Sequence, residues 1–342
     1  MGKTTGDDKY IVMKEILQYL FDHKTLTKAD AKQVLRHIAE GKYNDQEIAA
    51  FISVYLMRSI TVDELAGFRD ALLDLCLPVD LSAFNTIDVC GTGGDEKNTV
   101  NISTLTSFVV AGAGEKVAKH GNYSVSSASG SSDVLEYYGY KFSVDTDKLK
   151  REIDEHNICF LHAPLFNPAM KNVAPVRRNL RIKTFFNMLG PMVNPSFPQN
   201  QMVGVYSLDV ARLYNYVFQD SEKNYCIIHS LDGYDEISLT GQFKVFTKQS
   251  EKTVNPSDLG FDVIQPAEIY GGESVQEAAG LFKKVLEGQG TKAQNNTIIA
   301  NTAYALLCMD ESKSIQSCIE RAGESLFSGK AMQVFKNLIN SQ

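Results

Sequence analysis

Ile87-Asp88-Val89-Cys90-Gly91-Thr92-Gly93-Gly94-Asp95 is the stretch that decides the fold of this chain of 342 residues. An apolar run of strand type leads into a loop with three glycines in four positions, and Ser103-Thr104 then opens an apolar helix. Glycines let backbone N–H groups approach an anion, and a helix start adds unpaired N–H groups and a positive dipole end. The stretch therefore predicts a phosphate-binding turn, with an ordinary tight turn as the alternative. It matches neither a P-loop nor a G-x-G-x-x-G fingerprint, because no Gly-Lys-Ser/Thr follows and the glycine spacing differs.

Strand-like and helical segments alternate around this stretch, from about residue 85 onward. Such alternation favours an α/β domain whose central, mostly parallel sheet is flanked by helices. The first 77 residues show only helical patterns and predict a small all-helical domain. We expect a helical domain at residues 1–77, with a helical insertion at 168–195 packing on it, and an α/β domain at 78–342. The predicted strands are Asn85–Cys90, Lys116–Lys119, Lys141–Val144, Cys159–Leu161, Met202–Tyr206 and Tyr225–His229.

Composition excludes several classes of protein. The 34 basic and 41 acidic side chains give a net charge of −7, which is poorly suited to binding nucleic acid or an anionic membrane. No apolar stretch approaches the roughly 18–20 residues that span a bilayer, and the start lacks the hydrophobic core of a signal peptide. The six cysteines stand far apart without a C-x-x-C pair, and most lie in apolar runs. They predict reduced core residues in a cytoplasmic protein.

The next strand predicts a second turn of the same kind, Lys119-His120-Gly121-Asn122. A run of hydroxyl side chains at 124–132 follows and leads into a helix. Because ligand crevices of open α/β sheets form outside the carboxyl ends of the strands, the two turns predict one crevice with a lysine, an amide and many small donors. The serine-rich run is interpreted as a lid that orders on a phosphate, with a plain linker as the alternative.

A third strand end carries paired carboxylates, Asp235 and Glu236. Adjacent carboxylates suit Mg²⁺, which takes one or two of them and fills its shell with water and phosphate oxygens. A solvated acidic turn is the alternative. Arg177-Arg178 could grip a carboxylate with an arginine fork, or could form surface ion pairs. His120, His162 and His229 show no metal-ligand spacing and could equally be packed side chains.

Seven motifs in the same order resemble the anthranilate phosphoribosyltransferase family, over almost the whole chain. Each motif is weak alone, but seven in register are highly specific. They are Asp88–Asp95, Thr99–Thr104, Lys119–Asn122, Ser129–Glu136, Ala174–Arg178, Asn187–Pro195 and Asp232–Glu236.

The resemblance implies a small helical domain, used for homodimer formation, beside an α/β domain of the nucleoside phosphorylase class. It implies transfer of the phosphoribosyl group of phosphoribosyl pyrophosphate (PRPP) to the amine of anthranilate, with two Mg²⁺ per subunit. It also implies catalytic roles for Lys119, Asp235 and Glu236, metal binding by Ser103, Asp235 and Glu236, and anthranilate contacts from Gly91, Asn122 and Arg177. The residues implied to hold PRPP are Gly91, Gly94, Asp95, Thr99, Asn101, Ile102, Ser103, Thr104, Lys119, His120, Gly121, Asn122 and Ser131.

The chain departs from the family pattern at two positions near the acceptor. Tyr123 stands where the commoner motif has arginine after Asn122, and Asn167 stands where a histidine often precedes Pro168. Both changes remove a potential cation or proton carrier. Two other interpretations remain: a pyrimidine nucleoside phosphorylase of similar fold, which the Lys119–Asn122 turn and the carboxylate pair fit badly, and a nucleic-acid-binding relative, which would need a basic groove.

Overall fold

The computed structural model describes residues 12–124 and 128–342. The chain divides into two compact units. One comprises the residues up to Cys76 together with Asn167–Leu189, and the other comprises Leu77–Phe166 and Gly190–Gln342. A helical N-terminal part and a larger α/β part confirm the fold class predicted from the sequence.

The helices are, in chain order, α1 Met13–Phe21, α2 Lys28–Ala39, α3 Asp45–Met57, α4 Val62–Leu75, α5 Ile102–Gly112, α6 Ser131–Tyr137, α7 Thr146–His156, α8 Ala163–Phe166, α9 Ala174–Leu180, α10 Phe186–Leu189, α11 Leu208–Gln219, α12 Val275–Leu286, α13 Lys292–Met309, α14 Ile315–Phe327 and α15 Lys330–Asn340. The strands are β1 Thr86–Gly91, β2 Lys116–Gly121, β3 Ile158–His162, β4 Asn200–Gly204, β5 Asn224–Ser230, β6 Phe243–Thr247 and β7 Glu251–Val254. Short 3-10 helices lie at Pro168–Asn172, Gly190–Met192, Pro256–Leu259 and Pro266–Ile269.

The helical unit contains α1–α4 together with α9 and α10. Reciprocal capping boxes start α3 at Asn44 and α4 at Thr61, so the first turns of both helices are satisfied by local side chains. Aromatic rings fill its interior, and Phe185 stacks on Phe68 with 4.7 Å between the ring centroids. That stack joins the segment Asn167–Leu189 to the bundle.

The α/β unit is built on a seven-stranded sheet in the order β3-β2-β1-β4-β5-β6-β7. The strands from β3 to β5 in that order are parallel, whereas β6 and β7 pair antiparallel at one edge. Alternate residues of β3 enter two separate cores: Ile158 and Phe160 lie in one, Cys159 and Leu161 in the other. The sheet is therefore covered on both faces, as parallel sheets require.

The strand order reverses beside β1. The chain passes from β1 outward to β2 and β3, and then β4 pairs with the opposite edge of β1. Two neighbouring connections that leave in opposite directions open a crevice at the carboxyl ends of the strands. The glycine loop after β1 lies at that reversal.

Three expectations about elements need correction or addition. The predicted strand Lys141–Val144 is wrong, because these described residues form no strand and Phe142 instead stacks on the ring of His162. The segment Pro168–Leu189 is helical but broken into a 3-10 turn, α9 and α10. The hairpin of β6 and β7 was not predicted.

Two expectations from composition can also be compared with the structure. All six cysteines are buried free thiols, which confirms the prediction of reduced core residues. Among the helices of the described ranges, none has the length and apolar character needed to cross a membrane.

Candidate active site

The glycine loop after β1 lies against two other parts of the α/β unit. The Thr92 N–H donates to the carbonyl oxygen of Gly204 at the end of β4, at 2.9 Å, and the Gly93 N–H donates to Asp235 Oδ2 at 2.7 Å. A Cβ on Gly91 would lie 2.4 Å from Asp235 Oδ2, far inside van der Waals contact. Gly93 and Gly94 have φ angles of +64° and +76°, which glycine adopts without strain. The glycines are therefore required by this close approach as well as by the turn.

Lys119 near the end of β2 is a buried cation, 1% exposed. Its Nζ donates to the carbonyl oxygen of Val89 at 2.5 Å and to Ser103 Oγ at 3.2 Å. Burial lowers the pKa of Lys119, and the negative charges of Asp88 and Glu236 oppose that shift. The ammonium thus joins the glycine strand to the first turn of α5.

Asp235 and Glu236 are buried carboxylates, and Glu236 interacts with the positive charge of Lys119. Burial raises the pKa of Asp235 well above its usual range, and repulsion from Glu236 and Asp95 adds to the shift. Burial and Asp95 raise the pKa of Glu236 to about 7, whereas Lys119 and hydrogen bonds from Ser103 act in the opposite sense. The charges of Asp95, Asp235 and Glu236 thus repel one another, and Lys119 offsets part of that repulsion at Glu236. Paired carboxylates such as Asp235 and Glu236 are ligands that suit a hard divalent cation.

The backbone around the carboxylate pair is fixed by residues that sequence reasoning missed. The carbonyl oxygen of Asp235 lies against Gly204, where a Cβ would approach to 1.4 Å. Ser230 Oγ donates to the carbonyl oxygen of Glu236 at 2.7 Å, and the Asn301 amide bonds the next residue, Ile237. An isolated glycine in the strand pattern of Val203-Gly204-Val205 is the signal that could have indicated the close approach. Nothing in the sequence around Asn301 indicates its partner.

No group of three or more His, Cys, Asp or Glu side chains within residues 12–124 and 128–342 is arranged to hold a metal ion. Ser103 is the third metal residue that the resemblance implies, and its hydrogen bonds reach Glu236. The structure thus brings together all three residues implied as metal ligands: Ser103, Asp235 and Glu236.

Asp88 and Gly190 hold the second predicted turn, Lys119–Asn122, through His120. The His120 N–H donates to Asp88 Oδ1 at 3.0 Å, and His120 Nδ1 lies 3.0 Å from the carbonyl oxygen of Gly190. Burial lowers the pKa of His120. Asp88 is fully buried and was not predicted as a site residue, although it stands three residues before Gly91. These bonds fix the backbone and the ring of His120 within the turn.

The start of α6 lies directly on this turn. The carbonyl oxygen of Asn122 accepts hydrogen bonds from the Ser132 N–H at 3.2 Å and from Ser131 Oγ at 3.1 Å. A Cβ on Gly121 would lie 2.5 Å from Ser131 Oγ. Asn101 Nδ2 donates to the carbonyl oxygen of Ser129 at 2.9 Å and so links the residues before α6 to the start of α5.

The remaining predicted PRPP residues lie at the start of α5. Asn101 occupies the N-cap position, and its side chain does not bond the first turn of α5. Ile102 and Thr104 are buried in that turn. Thr99 lies opposite Tyr270 in an isolated antiparallel bridge, whose hydrogen bonds run between the backbones of their neighbours. Asn101 therefore does not cap α5, whereas the backbone N–H of Ser103 in its first turn bonds Glu236 at the positive end of an eleven-residue helix.

The centre of the predicted serine lid and Arg177 both lie outside the described part of the α/β unit. Residues 125–127, the centre of the predicted serine lid, lie outside the described residues. Arg177 belongs to the helical unit, where its Nη2 donates to Asn187 Oδ1 at 3.4 Å and its guanidinium lies 5.5 Å from the centre of the Phe186 ring. Burial lowers the pKa of Arg177, whereas its neighbour Arg178 is exposed.

The two departures from the family pattern have defined surroundings. The hydroxyl of Tyr123 donates to Glu136 Oε1 at 2.7 Å, and its ring meets the edge of His162 at 4.7 Å between centroids. The hydrogen bond to Glu136 raises the pKa of Tyr123 to about 12. Asn167 is buried.

Two family models match separate parts of the chain, one in each unit. The family model for the glycosyl transferase family, a/b domain, matches residues 84–332, and the model for the helical bundle domain of the same family matches residues 14–76. The anthranilate phosphoribosyltransferase of Christiangramia forsetii is 58% identical over 326 residues, covering 95% of this chain and 98% of the relative. That of Flavobacterium psychrophilum is 57% identical with the same coverage.

Solved structures of anthranilate phosphoribosyltransferases are similar to this chain over nearly its whole length. Anthranilate phosphoribosyltransferase from Thermus thermophilus is 27% identical with a TM-score of 0.89, over 95% of this chain and 98% of that chain. The enzyme from Saccharomyces cerevisiae in complex with PRPP and Mg is 25% identical with a TM-score of 0.88, over 96% and 98%. The yeast enzyme in complex with 4-fluoroanthranilate is 25% identical with a TM-score of 0.86, over 96% and 97%.

Proposed function

We propose, because this chain belongs to the anthranilate phosphoribosyltransferase family, that the crevice after β1, β2 and β5 transfers the phosphoribosyl group of PRPP to the amine of anthranilate. The products are N-(5-phosphoribosyl)anthranilate and pyrophosphate, and the reaction is the second step of tryptophan biosynthesis. One observation carries the proposal. A glycine loop, a buried lysine and a buried carboxylate pair meet at the point where the strand order reverses.

In this proposal the glycine loop and the start of α5 hold the donor. Backbone N–H groups of the glycine loop and of the first turn of α5 bind the diphosphate. Lys119 adds a positive charge next to Ser103 in that first turn. The leaving group becomes more negative as its bond to the ribosyl carbon breaks. Groups fixed in advance for that charge stabilise the transition state more than the ground state.

Magnesium fits the side chains present, because Asp235 and Glu236 are buried carboxylates whose charges repel each other, and a bound cation would offset that repulsion. We propose two Mg²⁺ per subunit, held by Ser103, Asp235 and Glu236. When bound, the metal neutralises the oxygens of the diphosphate and helps it to depart. The yeast relative solved with PRPP and Mg supports binding of Mg²⁺ together with the donor.

The acceptor needs binding and orientation more than activation. The anthranilate amine is a neutral nucleophile at pH 7, so no strong general base is required, and holding it close to the ribosyl carbon lowers the barrier. We propose that Arg177 binds the anthranilate carboxylate and that Gly91 and Asn122 contact the rest of the molecule. The yeast relative solved with 4-fluoroanthranilate supports an aromatic acid as the ligand.

Turnover of the purified protein tests the function. Incubation with Mg²⁺, PRPP and anthranilate should consume anthranilate fluorescence and release one pyrophosphate per molecule consumed. Removal of Mg²⁺ with a chelator should stop both signals. Turnover of uridine and phosphate without consumption of anthranilate would instead establish the pyrimidine nucleoside phosphorylase. The absence of both reactions would refute both enzyme activities.

We further propose a helical domain at residues 1–77 with the insertion at 168–195 packing on it, an α/β domain at 78–342, and a homodimer formed through the helical domain. Exposed apolar side chains in the helical unit support the dimer, notably Phe21 and Met57, which are 62% and 88% exposed. We also propose a cytoplasmic location, which the six buried free thiols support.

A further inference from the structure

Asn301 is a polar residue in the middle of a buried helix. It lies in α13, most of whose side chains are buried, and is itself 1% exposed. An amide taken out of water at such a position is costly unless each of its groups finds a partner. The partners of Asn301 therefore show what the residue does.

The amide forms a pair of hydrogen bonds with the backbone of one residue. Its Oδ1 accepts from the Ile237 N–H at 3.1 Å, and its Nδ2 donates to the Ile237 carbonyl oxygen at 2.8 Å. The second hydrogen of Nδ2 goes to the carbonyl oxygen of Thr297, one turn earlier, at 2.8 Å. A helix side chain thus supplies the donor and acceptor that a neighbouring strand would supply.

Ile237 directly follows Asp235 and Glu236, so Asn301 holds the backbone that carries both carboxylates. Thr297, on the same face of α13, adds a weaker bond of 3.4 Å from its Oγ1 to the carbonyl oxygen of Ser238. On the other side of the pair, Ser230 Oγ bonds the carbonyl oxygen of Glu236 at 2.7 Å.

Other side chains satisfy these contacts poorly. Aspartate would place a charged oxygen against the carbonyl oxygens of Ile237 and Thr297. Alanine would leave the buried N–H and carbonyl groups of Ile237 without partners, which weakens the hold on the segment.

We propose that Asn301 is a positioning residue that sets the place of Asp235 and Glu236 for the metal-bound diphosphate. The inference rests on the proposed function. Residues that orient metal ligands from behind typically change metal affinity or activity by about 10–100-fold when they are replaced.

The experiment compares Asn301→Ala with Asn295→Ala. Asn295 is a matched control, because it lies in the same helix, is 6% exposed and donates its amide to the carbonyl oxygen of Gly290 at 3.0 Å, away from the carboxylate pair. For each variant, the Mg²⁺ concentration at half-maximal rate is measured at fixed PRPP and anthranilate. The gain in melting temperature on adding Mg²⁺ and PRPP is measured as well and does not depend on turnover.

For Asn301→Ala we expect the half-maximal Mg²⁺ concentration to rise by about tenfold or more, with a reduced thermal gain from Mg²⁺ and PRPP. Asn295→Ala should keep both wild-type values even where it lowers the melting temperature of the free protein. Equal Mg²⁺ dependence and equal thermal gain in the two variants would show a purely structural role and overturn the inference. If the wild-type protein turns over no anthranilate, the proposed function fails instead.

Thr297→Val provides a milder test should Asn301→Ala fail to fold. Valine keeps the shape of threonine and removes only the bond to Ser238, so the half-maximal Mg²⁺ concentration should rise by at least about twofold. A wild-type Mg²⁺ dependence for Thr297→Val, with no folded Asn301 variant, would count against the inference.

Discussion

Lys119 shows at the scale of one residue how burial and function are related. A fully buried ammonium is costly, and this one is held by the carbonyl oxygen of Val89, by Ser103 and by the charges of Asp88 and Glu236. Such an arrangement does little for stability compared with an apolar side chain of the same size. It does provide a fixed positive charge where a diphosphate is to depart.

Replacement of Lys119 tests this role. For Lys119→Met we expect kcat to fall by about a hundredfold or more, because a preorganised charge facing the leaving group is removed. Lys116→Met is the matched control, since Lys116 begins the same strand and its Nζ bonds the carbonyl oxygens of Ile153 and Asp154. Steady-state kinetics check both. An unchanged kcat in Lys119→Met, or an equal loss in the control, would contradict the role.

Arg177 is expected to act on the acceptor alone. For Arg177→Ala the KM for anthranilate should rise by about tenfold to a hundredfold, because a charge-assisted bond to the carboxylate is lost. The KM for PRPP should change little. The exposed neighbour Arg178→Ala serves as control and should keep both values. An unchanged anthranilate KM in Arg177→Ala would refute the proposed contact.

At the scale of elements, the position of the glycine loop depends on the loop that follows β5. Gly91 ends β1 with Asp235 Oδ2 where its Cβ would be, and the neighbouring Gly93 N–H bonds the same oxygen. The loop and the carboxylate therefore constrain each other's position. This dependence joins two motifs that are more than a hundred residues apart in the sequence.

Gly91→Ala tests that dependence. The added methyl should displace Asp235, so we expect a lower kcat and a higher Mg²⁺ requirement while the sheet stays folded. Gly280→Ala is the control, because a Cβ there meets no atom within 4 Å and alanine favours the helix α12 by about 0.5–1 kcal/mol. Rate against Mg²⁺ concentration is measured for both. Wild-type Mg²⁺ dependence in Gly91→Ala would show that the contact is unimportant.

Local signals in the sequence were enough for most elements and for the main motifs. The helices in the described part of residues 1–77, with their capping boxes at Asn44 and Thr61, and the strand leading to Gly91 agree with the helical and strand patterns predicted there. These signals succeed because the partners lie within a few residues. The same reasoning placed Lys119 and the carboxylate pair at strand ends, and parallel strands bring such ends to one edge.

Distant partners explain the failures. The residues Lys141–Val144 alternate like a strand, but the Lys141 N–H bonds the side chain of Gln342 instead of a neighbouring strand. Asn301 contributes to the site through backbone groups of Ile237, which no local pattern indicates. Gly204 signals a close approach but does not indicate its partner, Asp235. Such contacts follow only from the complete fold.

At the scale of the whole molecule, the exposed apolar side chains of the helical domain allow the proposed homodimer to be tested. If the helical domain forms the homodimer, a charge introduced at an exposed apolar position of that domain should yield monomers. We expect Met57→Asp to halve the mass measured by light scattering after size-exclusion chromatography. Val263→Asp, at a position that is 60% exposed in the α/β unit, is the control and should remain dimeric. A monomeric wild-type protein would contradict the proposed dimer.

The central claim is that three chain segments form one site for a departing diphosphate. A crystal structure of the protein with PRPP and Mg²⁺ is the most direct test. The account predicts the diphosphate against the loop at 91–95 and the start of α5, with Lys119 beside it and the metal on Asp235 and Glu236. PRPP bound elsewhere, or a diphosphate out of reach of both Lys119 and the carboxylate pair, would contradict the account.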